Sequence, residues 1–548
     1  MKPLNQIMEN VYFRQFSQLI ASAIPVSRRE RVIAFLIFVI FAVAFCNYQI
    51  VTALLHHLDS AFLMEVLTSI KKTGVPTTHL IPSVLDAYTA GAFTNSADVL
   101  CKADLITTVR GISQLENHAY FILYPLAAFA WVFPPHVILA VANGIGFVSI
   151  IFILYLVIRG QGVPILGAIV FCSLVMAHPA WAHASIGDFY ADRFFMPLGL
   201  LYVFLLYSST TQQSSVSRIY LFLTLAVGLL ASSTTERGAI MVVSFNIAFL
   251  FFYRKMIADR GAKIVILFFS MALLAYIFLY LKLIYISHAG NMSLSAFLPQ
   301  VFNCFEMFQA PEYAAKAKEF IIINVLLFGI FALFNWRLAL IAFAALLPNL
   351  LTTIGGAEKN GWATHYHSMY FPFLAFVSAM GYSKLWNLLR YARYRMLLIG
   401  VLLFLIPAIS YYSPGYGGTS GAVKRVYAYY VNREQSYEKQ QSIKFKQIMA
   451  AVPVGTNVTT IEGFMPTLYR GRNIYFYPMG IDTADYTVLN KVIQPDGSFY
   501  YAGAVSYIPG ESQKIDICLT ERLRKVGFNV DHPKLLVGNM VVLEHNKK

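Results

Sequence analysis

The chain has 548 residues, of which 58% are hydrophobic, 15% aromatic and only 13% charged, and its apolar residues fall into repeated stretches long enough to cross a bilayer. This excludes an ordinary soluble enzyme and predicts a polytopic helical membrane protein. The formal charge of +15 would point to nucleic acid in a soluble chain. Here much of the Lys and Arg lies in short links between apolar runs, where it sets topology, so nucleic acid is excluded as a partner.

Residues 1–31 form a basic N-terminal segment in which Arg28, Arg29 and Arg31 precede the first apolar run. No small-residue cleavage site follows, so the run reads as an uncleaved span and 1–31 as cytoplasmic. Apolar runs at 32–55, 136–158, 163–181, 194–209, 219–233, 238–253, 264–286, 319–334, 338–353, 367–383 and 396–412 predict about eleven spans. With the N-terminus inside, Arg159, Arg218, the Arg254/Lys255/Arg260/Lys263 group, Arg337 and the Lys384/Arg390/Arg393/Arg395 group all fall on the cytoplasmic side. The stretch "AYFILYPLAAFAWVFPPH" (119–136) is apolar enough for another span. Counting it would invert every later loop, so it is expected to be an interfacial or re-entrant helix ended by Pro134 and Pro135. Segments 56–135, 182–193, 234–237, 287–318 and 354–366 are then on the outer side.

From Tyr411 the composition changes. "YYSPGYGGTSG" is a turn-rich linker, and a polar helical stretch, "NREQSYEKQQSIKFKQIMAAVP", follows it. Strand-like runs come next: "NVTTIEGF", "NIYFYPM", "DYTVLNKVI" and "NMVVLEH". The expected organisation is an all-α membrane domain at 32–412, carrying a large first outer loop at 56–135, and an outer α/β domain at 413–548. Five scattered cysteines make no disulfide framework and no CxxC metal site, although Cys101, Cys304 and Cys518 all fall outside the membrane and leave room for one bridge.

The outer face collects ionisable groups close to span ends. They are Asp59 and Glu65, Asp188, Asp192 and Arg193 in "SIGDFYADRFFMP", Glu236 and Arg237 in "TTERGAI", and His365 with Tyr366 in "THYHSMYFP". Carboxylates near the membrane are costly unless solvated or paired, and each alone reads equally as a solvated loop acid or a local ion pair. Four successive outer loops contributing an acid or a His is the pattern of a site at the mouth of a helix bundle. Asp59 and Glu65, six apart, face different sides of a helix. Asp188 and Asp192 share a face, but no His or Cys completes a metal-ligand spacing, and "DFYAD" is not a DxD motif. Interfacial histidines such as His118 read as polar anchors.

The arrangement resembles the GT-C glycosyltransferases, multi-span enzymes that take sugars from polyprenyl-phosphate carriers. The resemblance rests on an acid just after the first span in "HHLDSAFLMEVLTSIKKTGVP", an interfacial helix after it, a second acid ahead of span four, and a soluble α/β tail. "DFYADRFFMPLGLL", "TTERGAIM", "LLPNLLTT…THYHSMYFPFL" and the tail's "VPVGTNVTTIEGFMPTLYRGRNIYFYP…ADYTVL" resemble more closely an uncharacterised bacterial family of membrane proteins that groups with GT-C. Ser60, Tyr190 and Arg237 depart from it, standing where relatives often have Glu, His and Asp.

The resemblance implies a GT-C-like fold in a bacterial inner membrane with 413–548 in the periplasm. It implies an inverting glycosyltransferase that uses a polyprenyl-phosphate-linked sugar, drawn from the membrane lipid, and a glycan or lipid-linked acceptor. Asp59 is its expected base, with Asp188 and Asp192 as further catalytic candidates. Glu65, Arg193, Glu236, Arg237, His365 and Tyr366 are the expected substrate-binding residues. No cofactor is firmly implied, and a divalent metal stays open. The rival readings are a secondary transporter with acids at its outer mouth and a non-catalytic assembly partner. A transporter should carry acids in mid-span, broken helices and often an internal repeat.

Overall fold

The computed structural model describes residues 27–546 apart from 56–57, 104, 106, 108–109, 117, 188, 212–216, 256, 258, 286–310, 352–361, 363–364, 413–420 and 505–509. The chain divides into two compact units. Unit 1 takes Met1–Asn47, His118–Ile122 and Ala142–Tyr427, and unit 2 takes Tyr48–Asn117, Leu123–Val141 and Ala428–Lys548.

Helical structure falls within each of the eleven apolar runs, but among the described residues only five helices are by themselves long and apolar enough to cross a membrane, or up to seven if each of two bent pairs is one span. One bent pair is Ile165–Ala177 followed by Pro179–Ile186, turned through 71°. His178 between them is extended (ψ 126°), because Pro179 lacks an N–H and crowds the α conformation of the residue before it. The other pair, Ala314–Leu327 and Gly329–Ala344, bends by 48°. A side chain at Gly329 would stand 2.2 Å from the Asn324 carbonyl oxygen, so only glycine lets the chain fold back there. This replaces the two straight spans expected over 319–334 and 338–353. The helix Phe371–Leu388 is buried on every side from Phe371 to Ser383 and forms the centre of unit 1. It packs on Gly329–Asn335 so closely that a Cβ at Gly381 would come 1.9 Å from the Phe331 carbonyl oxygen.

Unit 2 holds the mixed sheet of the tail. A short antiparallel pair, β1 (Thr77–Thr78) and β2 (Ile112–Ser113), lies in the first loop, and the strands of the tail's sheet are β3 (Asn457–Thr460), β4 (Asn473–Phe476), β5 (Tyr486–Ile493), β6 (Phe499–Ala502), β7 (Leu535–Val537) and β8 (Met540–Glu544). The order is β4-β3-β5-β8-β7; β3 runs parallel to β4 and β5, while β6 and β8 are antiparallel to β5. Four of these strands lie within the four strand-like runs of the sequence. The helix Tyr437–Ala451 falls in the polar stretch, capped by Ser436, whose hydroxyl accepts from the Lys439 N–H at 3.2 Å.

The tail shares this unit with the first loop. Phe476 N–H donates to Ser83 Oγ (3.0 Å), Gly480 N–H to the Leu105 carbonyl (2.7 Å), and Thr467 Oγ1 to the Leu54 carbonyl (2.9 Å). Glu511 accepts from Ala97 N–H at 2.8 Å, and Arg522 pairs with Asp482 while donating to the Ala103 carbonyl. A disulfide joins Cys101 to Cys518 across 417 residues of chain. A cross-link over so long a loop strongly restricts the unfolded ensemble. Cys101→Ser is therefore expected to destabilise unit 2 by roughly 2–5 kcal/mol. Hydrogen exchange across 473–545, with and without reductant, checks this, and reductant should reproduce the mutant.

The stretch 119–136 contains the short helix Leu123–Ala128 and the 3₁₀ turn Phe129–Trp131, and Pro135 opens the next long helix. Phe129, Trp131, Val132 and Phe133 are exposed, with Lys71 Nζ 5.3 Å over the Trp131 ring and donating to the Ala130 carbonyl at 2.8 Å. An apolar face beside a cation is the pattern of an interfacial segment.

Candidate functional site

In unit 1 four separated stretches of chain bring their polar side chains together. The helix Ser217–Ser232 ends in a turn at Ser233–Thr235, where Thr234 Oγ1 donates to the Ala231 carbonyl (2.7 Å) and Thr235 is extended (φ −173°). The next helix, Glu236–Tyr253, therefore starts on an acid, a favourable place for negative charge. A Cβ at Gly238 would meet the Ala231 carbonyl oxygen at 2.8 Å and Thr234 Oγ1 at 2.9 Å, so glycine is what permits this tight turn.

Against that turn lies the segment His118–Ile122. Ile122 N–H donates to the Ser233 carbonyl at 2.8 Å, and Ala119 N–H to Glu236 Oε2 at 3.2 Å. His118 Nδ1 is 3.2 Å from Glu236 Oε1, and Thr235 Oγ1 donates to Oε2 at 3.2 Å. The His118 ring stacks on Tyr120 with centroids 5.0 Å apart. Burial pulls the imidazole's pKa down, but the hydrogen bond and charge of Glu236 outweigh it, so the pKa lies above its ordinary value.

Asp192, in the turn that leads into the helix Phe195–Thr211, is 0% exposed, and Arg193 beside it is 4% exposed. Burial pushes the Asp192 carboxyl above the usual carboxylate range, while the positive charges of His118 and Arg237 draw it back. Arg193 lies over the Tyr190 ring (4.6 Å) and Arg237 over the Tyr366 ring (5.2 Å). The turn His365–Ser368 packs against Asp192–Phe194. A Cβ at Gly187 would stand 2.9 Å from Arg193 Nη1, so the bare glycine makes room for the guanidinium. Two acids, Asp192 and Glu236, thus face two cationic groups, His118 and Arg237. Such matching offsets the several kcal/mol that each buried charge would otherwise cost.

Unit 2 carries the first-loop acids. Asp59 sits in the first turn of the helix Leu58–Thr73 and is partly exposed. Glu65 accepts from Thr78 Oγ1 (2.7 Å), His79 N–H (2.9 Å) and Leu80 N–H (3.3 Å), with His79 Nδ1 at 3.0 Å. It organises the entry to the helix Leu80–Thr89, and its carboxylate raises the pKa of His79. Arg472 donates to the carbonyls of Met449, Val452 and Arg470, and Arg470 Nη2 lies 2.6 Å from His136 Nδ1.

The structure therefore gathers Asp192, Arg193, Glu236, Arg237 and Tyr366 in unit 1 and places Asp59 and Glu65 in unit 2. The backbone of His365 is in the turn with Tyr366, and Asp188 lies outside the described residues. Among the described residues no three His, Cys, Asp or Glu side chains gather to hold a metal ion. Sequence reasoning missed His118 as a member of the cluster; it lies 118 positions from Glu236, and no local pattern links them.

No curated protein matches the chain. Solved structures similar to it include the following two. The crystal structure of ArnT from Cupriavidus metallidurans bound to undecaprenyl phosphate is 10% identical, with a TM-score of 0.44 over 94% of this chain and 98% of that one. The Archaeoglobus fulgidus oligosaccharyltransferase tethered to an acceptor peptide containing the NVT sequon is 13% identical, with a TM-score of 0.43 over 86% of this chain and 74% of that one. A family described as "Predicted membrane protein (DUF2079)" matches residues 89–497, about three quarters of the chain, and the chain belongs to that family.

Proposed function

We propose that this protein is an inverting glycosyltransferase of a bacterial inner membrane, moving a sugar from a polyprenyl-phosphate carrier to a periplasmic or lipid-linked glycan. The observation that carries the reading is the charge-balanced cluster of buried Asp192 with partly buried His118, Glu236 and Arg237, drawn from three separated stretches of unit 1. Perturbed titratable groups gathered in this way are a mark of functional sites. Both acids lie where helices begin, whereas a transporter's coupling acids belong near mid-span.

The chemistry asks little of the protein. The acceptor oxygen or nitrogen attacks the anomeric carbon and gives its proton to a carboxylate. The bond from that carbon to the phosphate oxygen breaks, and polyprenyl phosphate leaves with the electron pair. Departure of so good a leaving group needs cations rather than a general acid. Asp59 is the proposed base. Arg237 and Arg193 are proposed for the phosphate, since guanidinium geometry suits it. Asp192, Asp188, His365 and Tyr366 are proposed to orient sugar or acceptor, and Glu236 and Glu65 hold the segments around them.

The basic links support an inside N-terminus and an outside tail, and the Cys101–Cys518 disulfide supports an oxidising compartment for unit 2. Proteoliposomes containing a labelled polyprenyl-phosphate sugar test enzyme against transporter. Label should pass from the lipid fraction to an added acceptor with no solute accumulating. Solute uptake with the donor intact would overturn the reading.

A further inference from the structure

Unit 1 contains a second feature that the proposed chemistry does not use. A cleft of about 540 Å³ lies among the helices Arg28–Thr52, Pro135–Gly160 and Ile165–Ala177. Its walls are almost wholly apolar, with Ile33, Ile37, Phe41, Ile151, Ile169 and Met176 among them. It follows the first helix from Ser27 to Phe45, roughly 27 Å at the usual helical rise. Phe38 stacks on Phe152 along it (5.0 Å), and Phe45 packs on Trp181 (5.9 Å) where its lining ends. That length and volume describe a slot for an extended hydrocarbon chain, narrower than an α-helix of about 10 Å diameter.

One end of the slot is charged. Ser27, Arg29 and Glu30 line it there. The acid is fully engaged: Arg159 holds both Glu30 oxygens through Nε and Nη2, and Tyr155 Oη donates to Oε1 at 2.8 Å. Glu30 therefore does not neutralise Arg29, which is exposed and among the described residues makes no ion pair, with exposed Arg28 adjacent. A hydrocarbon slot with an exposed guanidinium at its mouth fits an anionic amphiphile whose headgroup lies in the bilayer interface.

We propose that this cleft binds one anionic phospholipid, an acyl chain along Ile33–Phe45 and the phosphate at Arg29. The site serves the leaflet that meets the amino end of the first helix, and it is independent of the glycosyl-transfer reading. Native mass spectrometry of the full-length protein, titrated with dioleoyl phosphatidylglycerol or with the chain-matched phosphatidylcholine, tests it. One phosphatidylglycerol should be retained in preference to phosphatidylcholine. Arg29→Gln, a change on an exposed side chain, should reduce that preference roughly fivefold. Ile169→Trp, which fills the slot from its partly exposed wall, should remove the retained lipid while Arg29→Gln leaves the fold intact. Equal retention of the two lipids, or a preference untouched by Arg29→Gln, overturns the proposal. So does displacement of phosphatidylglycerol by equimolar polyprenyl phosphate, which would assign the slot to the carrier, or a co-purifying polypeptide that blocks lipid retention.

Discussion

Asp59→Asn is expected to lower glycosyl transfer by roughly 10²–10⁴-fold while donor binding stays near the wild-type level. The carrier's tail lies in the bilayer, so its phosphate and sugar sit at the interface, and a base must come within about 3 Å of the attacking group at that height. Asp59 follows the first span by a few residues and is partly exposed in the first turn of its helix. A structural role there would be charge at a helix start, which Asn lacks at a cost of at most about 1 kcal/mol. The two roles separate by their readout. A structural Asp59 gives Asn nearly normal turnover with a slightly lower melting temperature. A base gives the loss in kcat at unchanged melting temperature, and Asp59→Glu should restore part of it. Wild-type turnover in Asp59→Asn would move the assignment to Asp192 or Asp188.

Glu236→Gln is expected to be the most damaging conservative change in unit 1. The carboxylate holds His118 and the Ala119 N–H, so its neutral replacement leaves the partly buried imidazole without its hydrogen-bonded counter-charge and Asp192 as the remaining acid facing His118 and Arg237. Breaking one partner of such a partly buried pair costs about 1–3 kcal/mol. His118→Asn in the same chain removes the orphaned charge and should recover much of the loss, giving a large coupling energy in the double-mutant cycle. The pH dependence follows from the raised pKa of folded His118. The pair's stabilisation is fully present below the unfolded value of about 6.5 and is lost as pH rises through the higher folded value. Wild-type stability should therefore decline as the pH rises above about 6.5, and Glu236→Gln should lack that slope. Thermal unfolding from pH 6 to 9 checks both; parallel curves for the two proteins would show that the pair carries no net charge coupling.

How much could be read without coordinates depended on how local each determinant was. The four strand-like runs are legible because alternation and flanking Gly, Pro and Asn act within a few residues; β6 and β7 are not, because pairing with β5 and β8 is what orders them. Apolar runs located the helices, but run length does not reveal a bend. Pro179 and Gly329 decide where helices break, and the consequence at Gly329 depends on a carbonyl it meets only in the fold. Composition marked the tail as distinct, whereas its union with the first loop rests on Cys101–Cys518 and on Ser83, Leu105 and Leu54, contacts hundreds of residues apart in sequence. Within the candidate site the acids were legible because charge near a span end is costly. His118 was not, since its meaning comes from Glu236.

Incubation of the purified full-length protein with a panel of polyprenyl-phosphate sugars, followed by mass spectrometry of the lipid pool, tests the central claim most directly. At least one donor should be converted to free polyprenyl phosphate in an acceptor-dependent reaction, the sugar arriving with inverted anomeric configuration. An unchanged lipid pool across the panel, from protein that melts cooperatively and is supplied with envelope glycan extract as acceptor, would contradict it.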